Sequence, residues 1–292
     1  MGWQTARFLI DLRRPQVMGI VNVTPDSFSD GGQFFDPKAA MAHCERLLAD
    51  GADLLDIGGE STRPGARQPG LASERARVLP VLRHAVTLGV PVSVDTSQPE
   101  LMQAALDLGV DILNDVRALT RPGALAVAAA HPNCGVCLMH MQGEPGTMQQ
   151  ATGCDGDAVQ AVADWLARRR DAALAAGIAR QRIVLDPGIG FGKTPDQNWA
   201  LLQRQAELLA LGQPLLVGWS RKSTLGALTG RAVGDRLAPS LAAALACVQR
   251  GARVLRVHDV AATVDALKVW QAAGLLAPAD IPSQQTQGTN TP

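Results

Sequence analysis

Residues 183–194 read IVLDPGIGFGKT, an apolar run that ends on a carboxylate and opens into a glycine-rich loop. Ile183 to Leu185 reads as a short buried strand bounded by a turn signal. The same unit recurs in both directions along the chain. Upstream stand Val17 to Val21, Leu54 to Ile57, Val90 to Val94, Ile112 with Leu113, and Val136 to Met139; downstream stand Leu215 to Val217 and Val254 to Val257. An amphipathic stretch follows each run, so strand and helix alternate eight times. That count predicts an α/β fold, a single (β/α)8 TIM barrel with long mobile loops after its first and second strands.

Local signals mark the helices between. Asp36 can cap a helix that starts at Pro37, carries an apolar stripe of Met41, Cys44, Leu47 and Leu48, and ends at Gly51. Pro99 opens and Gly109 closes a short helix, and Ala158 to Ala176 forms a longer one ending at Gly177. No linker divides the chain before its last residues. Residues 1–282 are therefore expected to form one barrel, and residues 283–292, with nothing apolar to bury, a disordered polar tail.

Lys plus Arg and Asp plus Glu number 27 each, so no net positive field would hold a polyanion, and nucleic acid is not expected as a partner. No apolar stretch reaches the roughly 20 residues that span a bilayer, and Met1 to Arg14 lacks the long apolar run of a signal peptide. A cytoplasmic location without membrane contact is the expectation. The five cysteines are scattered and do not resemble a disulfide framework. Cys134 and Cys137 form a C-x-x-C at a strand, where residues three apart point to opposite faces, so inert buried thiols are expected.

Polar residues end the apolar runs: Asn22, Asp56, Asp95, Asn114, Asp115, His140, Asp186, Ser220 and His258. In a barrel those ends share one rim, which makes a single site from residues far apart in sequence. Val254, Arg256 and His258 share one face by period-two alternation. An arginine there needs a partner. A bridge to Asp186 or Asp115 and contact with an anionic ligand are both open, and His258 two residues on favours the anion. Ser220 can bind a small carboxylate and Lys222 can donate to a carbonyl or ring nitrogen. The loops at 22–32 and 58–65 are rich in Gly, Pro and oxygen donors, where Asn22 and Thr62 would suit a hard cation with phosphate oxygens. The 186–194 loop is no P-loop, since the position where that spacing demands Gly is Pro187; it reads as a flexible loop over a flat ligand.

The segments MGIVNVTPDSFSDGG from Met18, DIGGESTRPGA from Asp56, SVDTSQPE from Ser93, ILNDVRAL from Ile112, CLMHMQGEPGTMQ from Cys137, LDPGIGFGK from Leu185, VGWSRKS from Val217 and RVHDV from Arg256 together resemble the dihydropteroate synthase family. The resemblance runs from about Met18 to Val269. It implies condensation of (7,8-dihydropterin-6-yl)methyl diphosphate with 4-aminobenzoate. It places pterin contacts on Asp95, Asn114, Asp186 and Lys222, and diphosphate contacts on Thr62, Arg63, Arg256 and His258. Aminobenzoate contacts fall on Thr62, Pro64, Phe191, Ser220 and Lys222, a Mg2+ ligand on Asn22, and catalytic roles on Asp30, Arg63 and Lys222. A homodimer is implied as well. Ile189 departs from the family, where Phe is common, and Ala118 stands where Ser is common.

Overall fold

The structure is a computed structural model that describes residues 1–24, 36–60, 70–143, 148 and 156–276. A hairpin of β1 (Gly2–Gln4) and β2 (Leu9–Asp11) comes first. The alternating series follows: β3 (Gln16–Asn22), α1 (Pro37–Ala49), β4 (Leu54–Gly58), α2 (Leu71–Ala85), β5 (Val92–Asp95), α3 (Pro99–Asp107), β6 (Ile112–Asp115) and α4 (Ala124–Ala130). Next are β7 (Gly135–Met139), α5 (Ala158–Ala175), β8 (Ile183–Asp186), α6 (Pro195–Gln203) and α7 (Gln205–Leu209). The series closes with β9 (Leu216–Val217), α8 (Ser223–Thr229), α9 (Leu237–Gln249), β10 (Val254–Val257) and α10 (Val260–Ala272).

Strands β3 to β10 pair in parallel in the order β8-β7-β6-β5-β4-β3-β10-β9, and a bridge between Leu185 and Leu215 joins the two ends into a barrel. All eight expected strands are present. The third starts at Val92 rather than Val90, because Pro91 has no amide hydrogen to enter a ladder. Asp36 caps α1 by accepting from the Lys38 amide, and Gly51, Gly109 and Gly177 take positive φ just beyond their helices, as expected. Of the expected α1 stripe, Cys44 and Leu47 are buried while Met41 and Leu48 are only partly so. The loops expected to be mobile after the first two strands, and the expected 283–292 tail, lie outside the described residues except at their first positions, 23–24 and 59–60.

Outward residues such as Leu55, Val94, Leu113, Leu185 and Leu255 pack against the helices. Inward residues Met18, Leu54, Ile112, Cys137, Val184, Leu216 and Val254 form a second cluster with Trp3, Ile10 and Leu12 of the N-terminal segment. That hairpin floors the barrel, and no sequence signal marked it, since three-residue strands are too short to show a period. Trp3 is fully buried, and its Nε1 donates to the Arg182 carbonyl at 2.9 Å. Cys134 belongs to the outer cluster and Cys137 to the inner one, both free and buried, so the C-x-x-C does straddle the strand.

One period-two step beyond the apolar floor, the inward face turns polar: Leu54 leads to Asp56, Ile112 to Asn114, Val184 to Asp186 and Val254 to Arg256, while on β5 Asp95 follows the buried Ser93. Removing the floor should therefore unsettle the whole barrel. Trp3→Ala is expected to lose about 3–5 kcal/mol of unfolding free energy, as large-to-small core changes do, read from urea denaturation. A loss below about 1 kcal/mol would show that the hairpin is an ornament rather than part of the core.

Candidate active site

At the C-terminal mouth the inward polar residues bind one another. Arg256 donates from Nε to Asp56 Oδ2 at 2.6 Å and from Nη2 to Asp95 Oδ2 at 2.8 Å, and Asn114 Nδ2 donates to the same Asp56 oxygen at 3.1 Å. The bridging partners of Arg256 are thus Asp56 and Asp95, and not the Asp186 or Asp115 that its sequence position suggested. Asp115 is one residue past the inward Asn114, so it points outward, where it accepts from Ser97 Oγ and the amides of Arg117 and Leu119. Asp186 Oδ1 takes the Gly188 amide at 2.7 Å.

Burial raises the pKa of the Asp95 carboxyl, and the Arg256 guanidinium pulls it back. Burial also raises Asp186, opposed by the Gly188 amide and then by the charges of Lys222, Lys193 and Arg256. Lys222 is pushed down to about 8 by burial, with Asp186 working against the shift. Its Nζ stands 4.2 Å above the centre of the Phe191 ring. His258 is pushed down to about 3, first by burial and then by Arg256, so it is neutral near pH 7. The family resemblance places His258 at the diphosphate, yet in the free protein it is a neutral imidazole whose Nδ1 lies 3.0 Å from Ser220 Oγ. Asn22 ends β3 with its side chain partly exposed and makes no side-chain hydrogen bond among the described residues.

Asp95, Asn114, Asp186, Lys222, Arg256, His258, Ser220 and Phe191 therefore converge on one mouth. Thr62, Arg63, Pro64 and Asp30 lie outside the described residues. Two features acquire a role only in the folded structure. Asp56, fully buried, is the common acceptor of the cluster, and its Oδ1 has no hydrogen-bond partner among the described residues. Behind the rim, buried Arg117 joins Ser97 Oγ at 2.9 Å to Glu60 at 3.5 Å. A strand-end Asp above an inward Leu was a signal for the first; nothing local marked the second. The mouth thus offers carboxylates and an amide for a hydrogen-bonding heterocycle edge, with an arginine and a lysine beside them. The Cys137 thiol below it is held well above its ordinary pKa by burial, so it supplies no thiolate.

The pterin binding enzyme family matches residues 18–258. A dihydropteroate synthase of Neisseria meningitidis serogroup B is 54% identical over 279 residues, covering 94% of this chain and 98% of its own length. The solved structure of Xanthomonas albilineans dihydropteroate synthase with 4-aminobenzoic acid is similar at TM-score 0.87 and 50% identity, covering 94% of this chain and 99% of that one. The Burkholderia cenocepacia dihydropteroate synthase complexed with 7,8-dihydropteroate is similar at TM-score 0.84 and 47% identity, covering 94% and 96%.

Removing Arg256 would leave two buried carboxylates without their cation. Arg256→Ala should cost about 3–5 kcal/mol of stability near neutral pH. The sign of its pH dependence follows from Asp95, whose folded pKa already lies above the ordinary 3.8. A raised carboxyl favours the fold fully below that ordinary value and loses the advantage as pH climbs through the folded value. The variant raises the folded value, about 8 in the parent, further still, so its deficit should grow as pH climbs from about 7 to about 10. A deficit that stays constant between those limits in denaturant titrations would break the link to these carboxyls.

Proposed function

The chain belongs to the dihydropteroate synthases among the pterin-binding enzymes, and from that premise we propose that it joins (7,8-dihydropterin-6-yl)methyl diphosphate to 4-aminobenzoate, giving 7,8-dihydropteroate and diphosphate. The observation that carries this reading is the inward polar set of Asp95, Asn114 and Asp186 beside Lys222 and Arg256. A pterin edge presents adjacent N–H donors, which a carboxylate such as Asp186 accepts in two parallel bonds, with Asp95 and Asn114 completing the match. Lys222 would leave the Phe191 ring and donate to a pterin carbonyl or ring nitrogen.

The bond from the pterin methylene to oxygen breaks and diphosphate leaves with the electron pair. The arylamine nitrogen then forms the new bond and loses a proton. No side-chain nucleophile is required. What the step needs is positive charge at the departing oxygens. Arg256 Nη1 makes no hydrogen bond among the described residues, so it is available to diphosphate while Nε and Nη2 hold Asp56 and Asp95. The Ser220 hydroxyl accepts the His258 backbone N–H at 3.1 Å and can donate to Nδ1, which leaves Nε2 as a neutral donor to the same phosphates. Thr62 and Arg63 would complete the diphosphate site, and Asp30 would place a charge near the reacting carbon. Ser220, Lys222 and Phe191, with Thr62 and Pro64, are assigned to aminobenzoate.

Asn22 fits a magnesium ion that arrives with the diphosphate. It brings one neutral oxygen, and Mg2+ prefers phosphate oxygens and retained waters to an all-protein cage. No group of three or more His, Cys, Asp or Glu among the described residues could hold a metal on its own. Bound there, the ion would neutralise charge on the leaving group. We also propose a homodimer, a cytoplasmic location and one barrel domain over residues 1–282, of which 277–282 lie outside the described residues. No helix among the described residues is long and apolar enough to cross a membrane.

Purified protein should release diphosphate only when both substrates are present. Release that ignores aminobenzoate would reject the synthase reading. In the same protein Asp186→Asn should lose about 1.5–3 kcal/mol of affinity for a pterin lacking the diphosphate, the worth of a charge-assisted pair. Calorimetry reads it, and an unchanged affinity would move the pterin anchor elsewhere. Chelation of Mg2+ should weaken binding of the diphosphate substrate and leave the bare pterin unaffected.

A further inference from the structure

We propose that Lys193 is a positioning residue, whose ammonium ties the loop after β8 to the end of β7 and so sets Asp186 and Phe191 toward the two substrates. Lys193 is only 5% exposed. Its Nζ donates to the carbonyls of Gly188 at 2.8 Å, Phe191 at 3.2 Å and His140 at 3.3 Å. An ammonium has three donors and no acceptor, so three carbonyls satisfy it. Two of them belong to the loop and the third to the residue after β7, which makes the lysine a clasp between two strand ends.

The backbone is built for that clasp. Gly188, Gly190 and Gly192 take φ of +67°, +81° and +70°, which side-chain-bearing residues rarely adopt. A Cβ at Gly188 or Gly192 would overlap the carbonyl of His140 or Gln142, so the loop lies directly on the chain leaving β7. A second tether holds its middle. The Gly190 amide donates to Asn198 Oδ1 at 2.8 Å, and Asn198 Nδ2 donates to Thr224 Oγ1 at 3.0 Å, at the start of the helix that follows Lys222. Held this way, the Gly188 amide grips Asp186 Oδ1 and the Phe191 ring lies under Lys222.

The charge acts as well as the hydrogen bonds. Lys193, Lys222 and Arg256 all face Asp186 and oppose the rise that burial imposes on it, while Asp95 and Cys137 share the same cleft from β5 and β7. A pterin edge needs Asp186 ionised, so binding fails as pH falls through its pKa. Loss of the Lys193 charge raises that pKa and moves the acid limb of the profile to higher pH.

The inference rests on the synthase reading, and steady-state kinetics of the parent, Lys193→Met and Lys193→Arg separate the two. Lys193→Met should lower kcat/KM for aminobenzoate about tenfold to hundredfold, mainly through KM, as misplacement by a fraction of an ångström does. Its acid limb for the pterin substrate should move upward. Lys193→Arg, which keeps charge and donors, should return the limb to its parental position and recover part of the KM. An active parent whose KM values and acid limb are unchanged in Lys193→Met overturns the positioning role and leaves the synthase reading intact. An inactive parent overturns both. Where Lys193→Met melts early, unchanged KM values in the fraction that stays folded assign the lysine to stability alone and also overturn the proposal.

Discussion

A carboxyl group as deeply buried as that of Asp56 needs a counter-charge and hydrogen bonds in place of the water it has lost. Arg256 and Asn114 supply them, and Arg256 reaches on to Asp95 with its second nitrogen. These four residues come from β4, β5, β6 and β10, and the first ion pair spans 200 residues of sequence. Parallel ladders alone would hold the strands side by side. The ion pairs across the barrel add a cross-brace at the end where the side chains turn polar, and that brace sets where Asp95 and Asn114 can meet a ligand.

The same brace decides the charge of the free cleft. Among the described residues three inward carboxyl groups, Asp56, Asp95 and Asp186, face three cations, Arg256, Lys222 and Lys193, and His258 is neutral. A cleft so balanced is no ready anion site. It suits a flat ring with N–H donors, which satisfies the carboxylates, while Nη1 of Arg256 stays open to an anion beside that ring. Lys222 illustrates the point, since before any ligand arrives it rests on an aromatic face and not on a carboxylate. Closed waiting positions of this kind spare the site the cost of exposing bare charge in an apolar barrel.

The floor of the barrel shows how function leans on packing. Trp3, Ile10 and Leu12 fill the N-terminal end from inside, so the strands can devote their C-terminal inward positions to polar groups. Apolar below and polar above, on one face of one strand, is possible because the hairpin supplies apolar volume that the eight strands do not. The glycine-rich loop after β8 sits at the other end of the same economy, with Lys193 satisfying carbonyls that its left-handed glycines turn inward.

The sequence by itself determined the eight strands, most helix ends and the identity of nearly every inward polar residue. Period two and cap chemistry are properties of a few neighbouring residues, so Leu54 and Asp56, or Val254 and Arg256, declare a shared face without help from the rest of the chain. Partners were another matter. That Arg256 binds Asp56 and Asp95, that Asp115 turns away to Ser97, and that Lys193 reaches back to His140 depend on barrel closure and register, which no short window contains. The hairpin at the floor escaped for a related reason, because strands of three residues carry no readable period and Trp3 gains its meaning only against seven strands. Charge states belong to the tertiary structure too. His258 is neutral and Asp186 raised because burial removes water from them, and burial is a property of the folded whole.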